Sequence, residues 1–260
     1  MIHWDGKTLG EWCAALEGAD AVLNFSGENI SARQWTEPYK KILRDSRLGS
    51  TNLIVRAIAG CRNRPRVFIS GSAVGYYGDA GESKLDEGSS LGSGFLADLC
   101  RDWEQEALEA QKCGVRVVLA RMGIVLGHGG VLDKFIPPFR WYVGGPLGSG
   151  RQWMSWISGK DLVDVILFMI KNDSLEGPVN CVSPNPLIMN DFCSTLGSIL
   201  KKPSWIRCPV FVLRAVLGEM SAVVLSSQRV MSNKLLAAGF NFQQPLMKDA
   251  LVDIFKGAYK

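Results

Sequence analysis

The sequence predicts an α/β fold, with a parallel sheet covered by helices and a small, mostly helical lobe at the C-terminal end. Two patterns predict it. Short runs rich in Val, Ile and Leu recur along the chain, and stretches of helical period separate them. The separations are long enough for the crossovers of about a dozen residues or more that parallel strands require. Size and composition agree: 260 residues, 47% hydrophobic and 21% charged, suffice for one large core and exclude a disordered or collagen-like chain.

The runs expected as strands are Ala21 to Phe25, Arg66 to Ser70, Val115 to Arg121 and Pro178 to Val182. A helix is expected over Leu48 to Ala59, where Leu48, Leu53, Val55, Ile58 and Ala59 share a mostly apolar face. A second is expected over Phe95 to Ala110, with Leu96, Leu99, Trp103 and Leu108 inward and Asp98, Arg101, Asp102 and Glu106 toward solvent. From Val125 to Ser158 glycine and proline punctuate the chain, which predicts a loop-dominated segment lining a site. Helical period returns over Asp161 to Lys171. After Pro186, Asn190 or Asp191 is expected to cap a helix that Pro203 stops. An apolar Val210 to Leu217 and a closing Met247 to Phe255 belong to the C-terminal lobe. The expected organisation is a core over 1–187, with 126–160 as its loop-rich substrate side, and a small lobe over 188–260.

Lys+Arg 29 against Asp+Glu 25 gives a net charge of +4 that is spread along the chain, so no nucleic-acid partner is expected. The densest basic stretch, Arg62, Arg64 and Arg66, reads as a solvated loop. The seven cysteines form no CxxC pair and only His3 and His128 could complete a shell, which argues against structural zinc. Buried thiols in a reducing compartment are expected instead of disulfides. No signal-like start and no bilayer-length apolar run is present, so a cytoplasmic protein is expected, or one of an organelle stroma or matrix should a targeting segment be missing.

The run Arg66 to Ser70 leads into Gly71, Ser72, Ala73, Val74, Gly75, Tyr76, Tyr77 and Gly78. A hydroxyl at the carboxyl end of a parallel strand stands where open α/β sheets bind ligands, although a Ser/Gly-rich turn that merely ends a strand has the same appearance. Trp153 and Trp156 either line a pocket or fill a core, with the core favoured for one of them. His128 is too isolated to nominate as a base.

Four segments carry a family resemblance: AVLNFSGENI (Ala21 to Ile30), SGSAVGYYGD (Ser70 to Asp79), ARMGIVLG (Ala120 to Gly127) and GGPLGSGRQWMSWI (Gly144 to Ile157). With them the chain resembles the extended short-chain dehydrogenase/reductase superfamily, and more narrowly its atypical "epimerase family" subgroup, whose members carry a small C-terminal domain of unknown function. The resemblance spans nearly the whole chain. GGPLGSGRQ is its most specific run, and Gly218, Glu219, Gln228, Arg229 and Val230 resemble the subgroup's tail. It implies a Rossmann-like sheet and NADP, or else NAD, as cofactor. It also implies an NADP(H)-linked oxidoreductase or epimerase-like activity on an unknown small molecule. The alternative is an inactive nucleotide-binding-fold protein with a regulatory or partner-binding role, for example in division of a cell or organelle. By the same resemblance Asn24, Phe25, Ser26, Gly27, Ser70, Gly71, Arg121 and Gly123 fall along the cofactor, and Ser72 falls on the catalytic Ser/Thr.

The departures from the family pattern matter as much. The superfamily's proton-handling tyrosine, and the lysine four residues on that lowers its pKa and holds the ribose, map by spacing onto Phe95 and Leu99. Phenylalanine carries no proton, so this helix is expected only to pack. Tyr76 or Tyr77 is the substitute acid beside Ser72, or else walls the pocket with aromatic surface. Trp-Ile-His becomes Trp156, Ile157 and Ser158, while Asp161 is retained. The opening Gly-x-x-Gly-x-x-Gly turn, whose backbone approaches a pyrophosphate, is missing, and Trp4 to Gly10 resemble the stretch just ahead of the family's fourth strand. The core is therefore expected to be N-terminally incomplete, truncated before Ala21, with an unpaired apolar edge there, reduced solubility, and cofactor binding placed in question. Expected partners are a small-molecule substrate and, as an option, a second copy in a homodimer.

Overall fold

The computed structural model describes Ile2 and residues 4–258, so His3 lies outside the described residues. After a 3₁₀ turn at Glu11–Leu16 come β1 (Ala21–Asn24), α1 (Glu37–Gly60) and β2 (Val67–Ala73), which leads into a second 3₁₀ turn at Val74–Tyr77. Next are β3 (Lys84–Leu85), α2 (Phe95–Leu108), β4 (Arg116–Met122), β5 (Ile124–Leu126) and α3 (Val131–Arg140). They are followed by β6 (Trp153–Met154), β7 (Trp156–Ser158), α4 (Gly159–Lys171), β8 (Gly177–Cys181), β9 (Leu187–Ile188) and α5 (Met189–Leu200). The tail holds α6 (Val210–Leu217), α7 (Ala222–Leu225), β10 (Arg229–Val230), α8 (Asn233–Ala237) and α9 (Met247–Ala258).

The main sheet has the order β1-β2-β4-β8 and is parallel throughout. Side chains alternate across it, as a period of two requires. Phe68, Val117 and Leu119 meet Ile54, Val55 and Ile58 of α1 and Ala107 of α2 on one face. Val67, Ile69, Val118 and Ala120 meet Val165 and Met169 of α4 and Leu235 of α8 on the other. A sheet buried on both faces needs apolar residues at both phases, which explains the near-continuous Val/Ile/Leu runs. A second core joins Leu126, Leu132, Phe139 and Trp156 to Phe192 and Leu196 of α5 and Leu251 of α9. Helices from 188–260 thus share their packing with the 126–160 segment. Trp156 is the core tryptophan, whereas Trp153 is half-buried with Arg229 over its ring at 4.1 Å.

Several expected boundaries are corrected. Helix α1 starts at Glu37, well before Leu48, because Thr36 accepts a hydrogen bond from the Tyr39 amide and Pro38 sits in the first turn, where its missing N–H costs nothing. Ala59 is exposed at its end. The Gly/Pro segment contains a real helix, α3, which tolerates Pro137 and Pro138 while burying Leu132 and Phe139. The residue preceding α5 is Ile188, with Asn190 and Asp191 already inside the first turn. That helix ends before Pro203, at Lys201, which takes the left-handed conformation with φ 53°. Strand β2 runs on to Ala73, so Ser72 lies within it instead of beyond its end.

Strand β1 is an edge strand, with Leu23 44% and Phe25 41% exposed. The seven cysteines are free thiols. Among the described residues no helix is long and apolar enough to cross a membrane, and no group of three His, Cys, Asp or Glu side chains converges as a metal shell would.

Candidate functional site

The parallel register sets Ser72 of β2 beside Arg121 of β4, and Arg121 beside Asn180 of β8. Residues in register on adjacent strands project to one face, so three polar side chains form a row near the carboxyl ends of the sheet. Glu104 descends onto this row from α2. Arg121 donates to it through both faces of its fork, Nε to Oε1 and Nη2 to Oε2, each at 2.8 Å. Ser72 Oγ donates to the same Oε1 at 2.6 Å. Tyr77, on the turn after β2, accepts from Arg121 Nη1 at 3.0 Å and donates to Asn180 Oδ1 at 2.7 Å. The ring of Tyr76 covers the guanidinium, 3.5 Å from centroid to Cζ.

This cluster is closed. The side chains of Arg121 and Glu104 are 4% and 6% exposed, and Ser72 is fully buried. Burial works against the charge on Arg121, but the bidentate bond to Glu104 outweighs it and the guanidinium is held above its ordinary pKa. Burial pushes the Tyr77 phenol up to about 12, with Arg121 pulling the other way. Tyr77 therefore stays protonated near neutrality, and that proton is committed to Asn180. Cys100, buried beside Glu104, has its thiol pushed up to about 12 for the same reason.

A second cluster shapes the end of β1. Asn24 Oδ1 accepts from the backbone N–H and hydroxyl of Ser26, and Asn24 Nδ2 donates to Thr51 Oγ1 at 3.0 Å. Thr51 Oγ1 also receives Trp103 Nε1 at 2.9 Å, tying the turn to α1 and α2. Phe25 and Gly27 are exposed and Ser26 is half-buried, so these residues form the rim. Half-buried Arg47 of α1 leans against Gly27.

The residues singled out from the sequence therefore separate. Asn24, Phe25, Ser26 and Gly27 come together at one strand end. Ser72, Tyr77 and Arg121 are joined to one another in the interior, and Tyr76 keeps part of its surface exposed. Ser70 is fully buried, its hydroxyl turned to the Gly71 carbonyl. Two glycines are accounted for by packing: a Cβ on Gly71 would lie 2.9 Å from the Trp103 ring, and one on Gly123 would lie 2.6 Å from the Ser155 carbonyl oxygen. Leu99 is buried, and Phe95 stacks edge-on against Trp35 at 5.2 Å. Sequence reasoning passed over Glu104, Asn180 and Arg47. For Glu104 a signal existed: with Ala97, Cys100 and Ala107 it falls at helical spacing on the buried stripe of α2, where a carboxylate needs a partner.

Two cavities flank the C-terminal helices. One of about 370 Å³ is lined by Asp79, Ser149, Gln152, Val210, Arg214 and Leu225. The other, of about 680 Å³, is lined by residues including His128, Ser158, Lys160, Gln244 and Asp253. Neither reaches the buried cluster.

Residues 4–181 match the model of the NAD dependent epimerase/dehydratase family, and residues 208–254 match a domain of unknown function, DUF1731. The chain is 44% identical over 244 residues to the chloroplastic epimerase family protein SDR39U1 homolog of Arabidopsis thaliana, covering 93% of this chain and 70% of that protein. It is 40% identical over 253 residues to an epimerase family protein of Mycobacterium leprae, covering 96% and 81%. Among solved structures, human epimerase family protein SDR39U1 (isoform 2) with NADPH is 32% identical, with a TM-score of 0.88 over 95% of this chain and 85% of that one. A nucleoside-diphosphate sugar epimerase of Corynebacterium glutamicum is 30% identical with a TM-score of 0.75, over 96% and 48%. With a family model matched over most of its length and relatives this similar, the chain belongs to the NAD dependent epimerase/dehydratase family.

Proposed function

We propose that this chain is an NADP(H)-linked oxidoreductase or epimerase-like protein acting on a small molecule. The observation that carries the reading is the exposed rim at the carboxyl end of β1, where the Asn24-braced turn presents Phe25, Ser26 and Gly27. Open α/β sheets bind dinucleotides at such strand ends. The relative solved with NADPH supports the choice of cofactor. The residues fit such a group: Gly27 is exposed and adds no side chain to the turn, and Arg47, packed against it, brings a positive charge to the same rim.

The cofactor, when bound, supplies hydride chemistry; the protein supplies position and proton control. Asn24, through Ser26 and Thr51, keeps the rim backbone in one conformation. Glu104, Arg121, Tyr77 and Asn180 form a rigid floor whose charges are already satisfied. Of the three candidate proton handlers, Tyr76 retains exposed surface, whereas Ser72 would first have to leave Glu104 and Tyr77 would have to leave Asn180. Titration of the folded chain with NADPH, followed by nicotinamide fluorescence, tests the reading. Saturable enhancement is expected, and a flat titration of a cooperatively folded sample would sink it. With a turnover assay in hand, Tyr76→Phe is expected to lower kcat, and unchanged turnover would remove Tyr76 from the chemistry.

A further inference from the structure

We infer that Arg47 is an anion-binding residue whose guanidinium donates to a phosphate oxygen at the rim beside Gly27. The inference rests on the dinucleotide reading above and gives it a residue on α1 that the family resemblance did not supply.

The motive is a charge without an ion-pair partner: Glu28 favours it only from beyond ion-pair distance. Arg44 and Arg101 share Asp102, Arg116 reaches Asp173, and Arg121 has Glu104. Arg47 is half-buried, yet no carboxylate lies within ion-pair distance of it among the described residues. Its contacts are a hydrogen bond from Nη1 to the Leu43 carbonyl at 3.1 Å and the face of the Trp103 ring at 5.3 Å. Burial holds its pKa below the usual arginine value, so the fold disfavours the charge it keeps there. The nearby Glu28 carboxylate meets the Tyr39 hydroxyl at 3.4 Å instead.

A long arginine could escape by extending into water. This one lies along the loop. A Cβ on Gly27 would sit 3.0 Å from Arg47 Cζ and 3.3 Å from Nε, so the glycine makes room for the guanidinium. The loop is pinned to the same helix: the Glu28 amide donates to Ser46 Oγ at 3.0 Å, and Ser26 Oγ lies 3.0 Å from Ser50 Oγ, within hydrogen-bond reach. A planar fork with donors to spare, held against exposed backbone at a parallel strand's carboxyl end, suits phosphate oxygens. A phosphate there would supply the missing ion-pair partner.

The test uses the full chain as wild type, Arg47→Gln and Arg47→Lys, titrated with NADPH and NADH by fluorescence and with inorganic pyrophosphate by calorimetry. R47Q is expected to weaken NADPH by about ten- to a hundredfold, the range for a hydrogen bond to a charged group. R47K should fall between, since an ammonium keeps the charge without the fork. Equal losses for NADPH and NADH assign the bridging pyrophosphate; a loss confined to NADPH assigns the 2′-phosphate. Either outcome supports the site. If R47Q binds both cofactors within about twofold of wild type, Arg47 is not an anion-binding residue, while the dinucleotide reading stands. If wild type binds neither cofactor, the dinucleotide reading falls, and pyrophosphate decides for Arg47: binding that R47Q abolishes keeps the anion site, and no binding overturns it.

Discussion

Arg121 and Arg47 stand near the same end of the sheet and solve the problem of a buried positive charge in opposite ways. Arg121 is enclosed, doubly bonded to Glu104, bonded again to Tyr77 and roofed by Tyr76. Arg47 has one carbonyl, one aromatic face and a glycine, with its outer side at an exposed loop. The three Arg121 donors that the structure accounts for are spent on internal partners, and burial shuts the guanidinium away from solvent. A desolvated charge lacking a counter-ion costs stability, and a fold keeps such a group at little gain unless something outside pairs with it. On the reading proposed above, this contrast casts the interior cluster as scaffold and the rim as the place where a ligand would be met.

The largest expected effect tests the scaffold half. Glu104→Gln leaves Arg121 buried without compensation and should cost about 3–5 kcal/mol in chemical denaturation. A loss below about 1 kcal/mol would mean that the pair does not hold the sheet. Tyr77→Phe comes next, at about 1–3 kcal/mol, because Asn180 Oδ1 loses its donor and Arg121 Nη1 its acceptor. It also carries a pH signature. The folded pKa of Tyr77, about 12, lies above the ordinary value of 10.0, so the fold favours the protonated phenol. That stability is fully present below the ordinary value and is lost as pH rises through about 12. The wild type should thus lose stability along this alkaline limb, read by circular dichroism together with tyrosinate absorbance, and Y77F should flatten it. The smallest effect sharpens the contrast: Arg47→Gln, without ligand, should stay within about 1 kcal/mol of wild type, since losing one cation–π contact and the bond to the Leu43 carbonyl is offset by relief of one desolvated charge. A loss comparable to that of Glu104→Gln would make Arg47 a scaffold residue too.

Much of the fold was legible because its signals are local. The four sheet strands lie within a residue or a few of the apolar runs, and α2 and α4 follow their helical period. Helix α3 was hidden because Pro137 and Pro138 usually end helices, and packing of Leu132 and Phe139 into the second core outweighed that preference. The rim was legible through the motif around Asn24. The interior cluster was legible only in part: Ser72, Tyr77 and Arg121 carried family signals, but nothing near Glu104 or Asn180 in the chain announces their partners.

By itself the sequence determined a parallel α/β protein of this family, whose α2 carries phenylalanine and leucine where a tyrosine and lysine pair would act. Alternation, caps and motifs are properties of neighbouring residues and need no folded context to be read. Only the tertiary structure decided which charges are satisfied. Glu104 meets Arg121 across 17 residues and Ser72 across 32, and Tyr77 meets Asn180 across 103. Whether a serine, tyrosine or arginine is free to act depends on such distant partners, because in a medium from which water is excluded the nearest opposite charge or acceptor claims the group.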